Sequence, residues 1–179
     1  MRAQERSTTH PSRRLVLRAG ASGLLAIAVM PDGLVVGSAW AQMPKGTKPE
    51  TFASLVQMSR DCYPHDRIAD SHYATAVGIL DAAARAAPPD LALLEDGVAA
   101  LDRGAATRFG APYAKVKSEG DRVALLKAIE TGPFFQKVRA NLVVGLYNQK
   151  EMWPLFGYEG ASADKGGYLE RGFDDIDWL

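Results

Sequence analysis

Pro133-Phe134-Phe135-Gln136-Lys137-Val138-Arg139-Ala140-Asn141-Leu142-Val143-Val144-Gly145-Leu146-Tyr147-Asn148-Gln149 is the most apolar helical run of the chain. Phe134, Phe135, Val138, Leu142, Val143 and Leu146 spread over more than half of a helix's circumference. A helix apolar on so many sides predicts a place at the centre of a bundle. Thr131-Gly132-Pro133 marks its start, because proline suits a first helical turn, and Pro154 stops helical continuation.

Upstream of it the chain reads as four more helices. Thr47-Lys48-Pro49-Glu50 has the capping-box pattern, with Thr47 as N-cap and Glu50 reaching back. Phe52, Leu55, Val56, Ser59 and Cys62 or Tyr63 then fall on one face, until Pro64 ends the helix. Asp70 caps the next, in which Tyr73, Val77, Leu80 and Ala84 repeat at helical spacing as far as Ala87. Pro88-Pro89-Asp90 breaks it and starts a third, with Leu91, Leu94, Val98 and Leu101, for which Gly104 is the predicted stop. Arg108 to Lys117 reads as a loop, and Ser118-Glu119-Gly120-Asp121 caps a short helix holding Val123, Leu126 and Ile129. No stretch alternates as a strand does. The expected fold is all-α, a small irregular bundle of about five helices.

Beyond the last helix the pattern changes. Trp153, Phe156, Tyr158, Tyr168, Phe173 and Trp178 stand among Gly157, Gly160, Gly166, Gly167 and Gly172, at spacings that fit neither helix nor strand. A loop cannot bury such rings inside itself, so it must lie on its own helices or on another protein. Aromatic side chains suit an interface, because each buries a large area at small rotamer cost. These six rings, with Arg171 between Tyr168 and Phe173, are the expected partner contacts. The domain reading is therefore residues 42–150 as the helical body and 151–179 as a partner-binding tail.

The other end of the chain looks like an address. Arg13-Arg14 precedes a moderately apolar run from Ala19 to Met30, and Ala39-Trp40-Ala41 places small residues at Ala39 and Ala41, where a signal peptidase reads. Residues 1–41 thus read as a twin-arginine export signal cleaved after Ala41, which predicts use of the twin-arginine translocase and a periplasmic location. An uncleaved leader would act as a membrane anchor at the inner membrane. The leader carries five arginines and two acids, so the remainder keeps 16 Lys and Arg against 19 Asp and Glu, a net charge of about −3. With no basic face, a nucleic-acid partner is not expected.

Motifs for self-sufficient chemistry are missing. Neither glycine-rich nucleotide fingerprint occurs, nor does Gly-x-Ser-x-Gly. Cys62 is the only cysteine, so no intrachain disulfide can form and the usual covalent haem motif is absent. It reads as a small buried hydrophobe. The one compact polar constellation is Asp61, Tyr63-Pro64-His65-Asp66, Asp70 and His72. Pro64, His65 and Asp66 suit a structural turn, in which Asp66 caps the next segment and the imidazole bonds a backbone group. A partner contact, or a metal held by His65 and His72 with nearby carboxylates, stays open beside it. Asp174-Asp175-Ile176-Asp177 lacks the glycine and distant glutamate of a calcium loop and reads as an acidic edge. No catalytic, cofactor-binding or metal-ligating residue is assigned.

The twin-arginine route moves folded proteins, many of them loaded with cofactors, yet this chain has no cofactor motif. The mismatch resolves if the chain escorts a cofactor-loaded subunit that lacks a leader. The leader, the Tyr63-Pro64-His65-Asp66 turn, Phe134-Phe135-x-x-Val138-Arg139 and Trp153-x-x-Phe156-Gly157-Tyr158-Glu159-Gly160 resemble the small subunits called gluconate 2-dehydrogenase subunit 3. Gly166-Gly167-Tyr168-Leu169 and Gly172-Phe173-Asp174-Asp175-Ile176-Asp177-Trp178 look like a subgroup of that family. The resemblance implies a non-catalytic gamma subunit that escorts and stabilises a periplasmic dehydrogenase of the glucose-methanol-choline (GMC) type. That large partner would hold FAD and oxidise a sugar, sugar acid or other alcohol, with a cytochrome c subunit commonly taking the electrons on. The competing reading is a stand-alone exported helical protein with a His/Asp metal site.

Overall fold

Residues 44–167 are described by the structure, a computed structural model. Five α-helices make up the body: α1 (Pro49–Cys62), α2 (Asp70–Arg85), α3 (Pro88–Phe109), α4 (Glu119–Ala128) and α5 (Pro133–Gly145). Short 3₁₀ segments follow α3 (Tyr113–Lys115) and α5 (Lys150–Phe156, then Ser162–Lys165), and the described residues contain no strand. The fold is all-α. The leader residues Arg13, Arg14, Ala39 and Ala41, and the tail residues Tyr168, Arg171, Phe173 and Trp178, lie outside the described residues.

The centre of the bundle is α2, which packs on α1, α3 and α5. This corrects the expectation for α5. Tyr73, Ala74, Ala76, Val77 and Leu80 of α2 are buried, and its small side chains let neighbours approach closely. At Gly145 of α5 an added Cβ would meet Ala76 at 3.3 Å, and the Asn141 amide donates to the Ala76 carbonyl at 2.9 Å. On α5 Phe134, Val138 and Leu142 face inward, but Val143 and Val144 are 52% and 64% exposed. The apolar surplus of that helix is thus an outward stripe rather than a second core face. Burial of each core Leu or Phe contributes roughly 1.5–3 kcal/mol.

Helix ends depart from the local signals in instructive ways. The capping box at Thr47 does not form: Lys48 is the N-cap of α1 and no side chain within the segment caps it. Its backbone N–H donates to Glu95 of α3 at 2.7 Å, and Glu95 also accepts from the Thr51 hydroxyl at 2.8 Å. The hydroxyl of Thr47 donates to Asp81 of α2 instead, at 2.6 Å. Remote carboxylates thus replace the local cap. Asp70 is the first residue of α2 rather than its cap, and pairs with Arg60 at 3.0 Å. Gly104 does not stop α3, because Leu101 and Ala105 bury its face past that point, outweighing the roughly 1 kcal/mol that a helical glycine costs. The stop is Gly110, at φ 72°. Ser118 caps α4 as expected, accepting from the Asp121 N–H at 3.2 Å. Helix α5 ends at Gly145, short of Gln149, and Pro154 lies within a 3₁₀ segment.

Asp81 is 1% exposed, yet every oxygen is occupied. It accepts from the backbone N–H groups of Lys45, Gly46 and Thr47 as well as from the Thr47 hydroxyl. Burial alone would raise its carboxyl's pKa, but the bonds to Thr47, Lys45 and Gly46 prevail and hold it below the usual value.

Candidate partner-binding surface

The turn after α1 and the segment after α5 meet. His65 Nε2 lies 2.7 Å from the Tyr147 hydroxyl, and the two rings stand edge to face with centroids 5.7 Å apart. Phe156 closes the group, 5.5 Å from His65 and 5.7 Å from Tyr147. Tyr63 adds a further edge-on ring against Tyr147, at 5.8 Å. Burial raises the Tyr147 phenol's pKa, so it stays protonated and can donate to the imidazole. The imidazole thus bonds a side chain, where a backbone partner was expected. Within the turn, the Ile68 N–H donates to the His65 carbonyl at 3.2 Å, while Pro64 and Asp66 are exposed.

His72 meets the same stretch from α2. Its Nδ1 lies 2.7 Å from Gln149 Oε1, and the Gln149 amide donates to the carbonyls of His72 and Gly145. The two imidazoles therefore each bond a separate C-terminal side chain. Among the described residues no group of three or more His, Cys, Asp or Glu could hold a metal ion.

From this base the 3₁₀ segment sorts its side chains. Met152 is fully buried, and the Trp153 indole N–H donates to the Tyr147 carbonyl at 3.1 Å. Tyr158 packs edge-on against Trp153 at 5.2 Å, after a turn at Gly157 with φ 69°. Leu155, Phe156 and Tyr158 remain 42%, 48% and 49% exposed. Two residues hold the segment down and three apolar ones are presented. Trp153 is half-buried on its own body, whereas Phe156 and Tyr158 lie open. Leu155 and Phe156 line a shallow cleft with Pro64 to Ile68. Neither Leu155 nor Tyr147 stood out in the sequence, although Leu155 lies between two residues that did.

A second arrangement escaped the sequence reading. Asp61, at the end of α1, takes a forked pair from Arg122 of α4, with Nε to Oδ2 at 2.7 Å and Nη2 to Oδ1 at 2.9 Å. Tyr113 adds its hydroxyl to Oδ2, and Gln57 its amide to Oδ1 at 3.1 Å. Arg122 also donates to the Val116 carbonyl at 2.8 Å. Burial and the Asp61 carboxylate raise the Tyr113 phenol's pKa, while the hydrogen bond to Asp61 holds the guanidinium charged. The same two causes, burial first, push the Cys62 thiol up to about 12, so it is a poor nucleophile. This node fastens α1, the 113–115 turn and α4 together. Asp61 and Arg122 are 61 residues apart; Asp61 stood in the polar constellation, but Arg122 and Tyr113 have no local signal.

Comparison with family models, with curated proteins and with solved structures gives no match to this chain.

Proposed function

We propose that this chain is the non-catalytic small subunit of an exported FAD-dependent dehydrogenase of the GMC type, which it escorts and stabilises. The observation that carries the reading is the segment 150–158. Buried Met152 and half-buried Trp153 fix it on the body, while Leu155, Phe156 and Tyr158 face outward with substantial apolar area. Rings held in place before binding lose little freedom on docking, which is what an interface anchor requires. The small-subunit resemblance of the Tyr63-Pro64-His65-Asp66 turn supports the same surface, because His65 packs directly against Phe156. In this reading the large subunit holds FAD and oxidises a sugar, sugar acid or other alcohol. Electrons then pass to a cytochrome c subunit, and the twin-arginine leader carries both chains to the periplasm.

The test is a binding titration of the co-expressed flavoprotein against Phe156→Ala and Tyr158→Ala. An anchor loses about 2 kcal/mol, roughly thirtyfold in affinity, on truncation. Unchanged affinity in both variants removes this segment from the interface.

A further inference from the structure

Two clefts meet at the turn after α1 and share Pro64, His65 and Asp66. The apolar one reaches Leu155 and Phe156, which belong to the proposed docking surface. The other is a polar cavity of about 330 Å³ between the end of α1, this turn and the start of α4. Four carboxylates line it, those of Asp61, Asp66, Asp70 and Glu119, against the two guanidinium groups of Arg60 and Arg122. The fold uses both cations internally. Arg122 forks onto Asp61, and Arg60 pairs with Asp70 at 3.0 Å while lying over the Tyr73 ring. Asp66 and Glu119 are exposed, and among the described residues their carboxylates take neither a hydrogen bond nor an ion pair. Arg67, which lines the apolar cleft, pairs with neither.

In water that arrangement costs little. Docking on Leu155 and Phe156 changes it, because Asp66 lies on the rim common to both clefts. A partner seated there strips water from Asp66, and a covered carboxylate is strongly unfavourable unless a cation takes the water's place. The fold has brought no cation to it. We infer that the partner supplies one: a Lys or Arg side chain that enters the polar cavity between Asp66 and Glu119, beside an apolar side chain that enters the cleft against Phe156. The inference rests on the subunit reading and names the chemistry of the partner's side of that surface. Charge complementarity selects this occupant, since the cavity lining holds two more acids than bases. An uncharged or acidic loop would fill the apolar cleft equally well, yet leave both carboxylates covered and unpaired.

The experiment titrates the co-expressed flavoprotein against the full chain at low and high salt, with the double variant Asp66→Asn/Glu119→Gln and with Phe156→Ala. Both carboxylate replacements keep the side chain's shape and remove groups that hold nothing in the fold. Wild type should lose affinity as NaCl rises from about 50 to about 500 mM. The double variant should bind about tenfold more weakly at low salt and lose most of that salt dependence. Phe156→Ala should bind more weakly at both salts and keep the dependence. A double variant that matches wild type, while Phe156→Ala does not, overturns the inference and leaves the subunit reading standing. Wild type that binds no flavoprotein removes both. If the chain instead associates with itself and the double variant weakens that, the cavity belongs to a second copy and the inference is likewise overturned.

Discussion

His65 and Tyr147, 82 residues apart in sequence, share a 2.7 Å hydrogen bond and stand edge to face. That contact joins the turn after α1 to the segment that presents Leu155, Phe156 and Tyr158. Tyr147→Phe keeps the ring and removes only the hydroxyl, so it isolates the bond. Its loss should cost about 1 kcal/mol of stability. Chemical denaturation should show that decrease, and amide exchange of residues 150–158 should quicken. Unaltered exchange there would mean that Met152 and Trp153 hold the segment without help.

The Asp61–Arg122 pair is buried on both sides, with side-chain exposures of 3% and 13%. Removing one partner strands the other, and Arg122→Ala should destabilise by about 3–5 kcal/mol. The double variant Asp61→Leu with Arg122→Met should recover most of that loss, since neither charge then remains buried. Urea unfolding of the three proteins measures the difference.

Asp81 sets an acid limit. Its folded pKa lies below the ordinary 3.8, so its contribution is complete above that value and is lost as pH falls through the lower folded value. Asp81→Asn should be less stable than wild type at pH 6, with the gap closing as pH falls below 3.8 and through the lower folded value. Thermal unfolding across pH 2–7 reads both. A gap that persists undiminished at the acid end would show that Asp81 acts through packing rather than charge.

The helices were legible because their signals are local. Pro64, Pro88 and Pro133 punctuate the chain where the breaks fall, and Ser118 caps α4 as its spacing implies. What failed depended on partners distant in sequence. Thr47 and Glu50 have the right spacing for a cap, but Asp81 and Glu95 take the donors, and only the fold brings them there. Gly104 looks like a stop until the burial of Ala105 is known. On α5 a wide apolar face could mean a central helix or an outward stripe. The count of apolar residues is the same, and only the fold, which leaves Val143 and Val144 exposed, decides it. For the site, Phe156 and Tyr158 were legible as aromatic residues on a glycine-relaxed segment. The inward turn of Trp153 was not, because it depends on the Tyr147 carbonyl.

The central claim is that this chain travels and works bound to a flavoprotein. The most direct measurement is purification of the tagged chain from its native periplasm, with mass spectrometry and an absorbance scan of the eluate. The account predicts a second, larger chain in equal amount and a flavin spectrum. A colourless, monodisperse chain eluting by itself would contradict it.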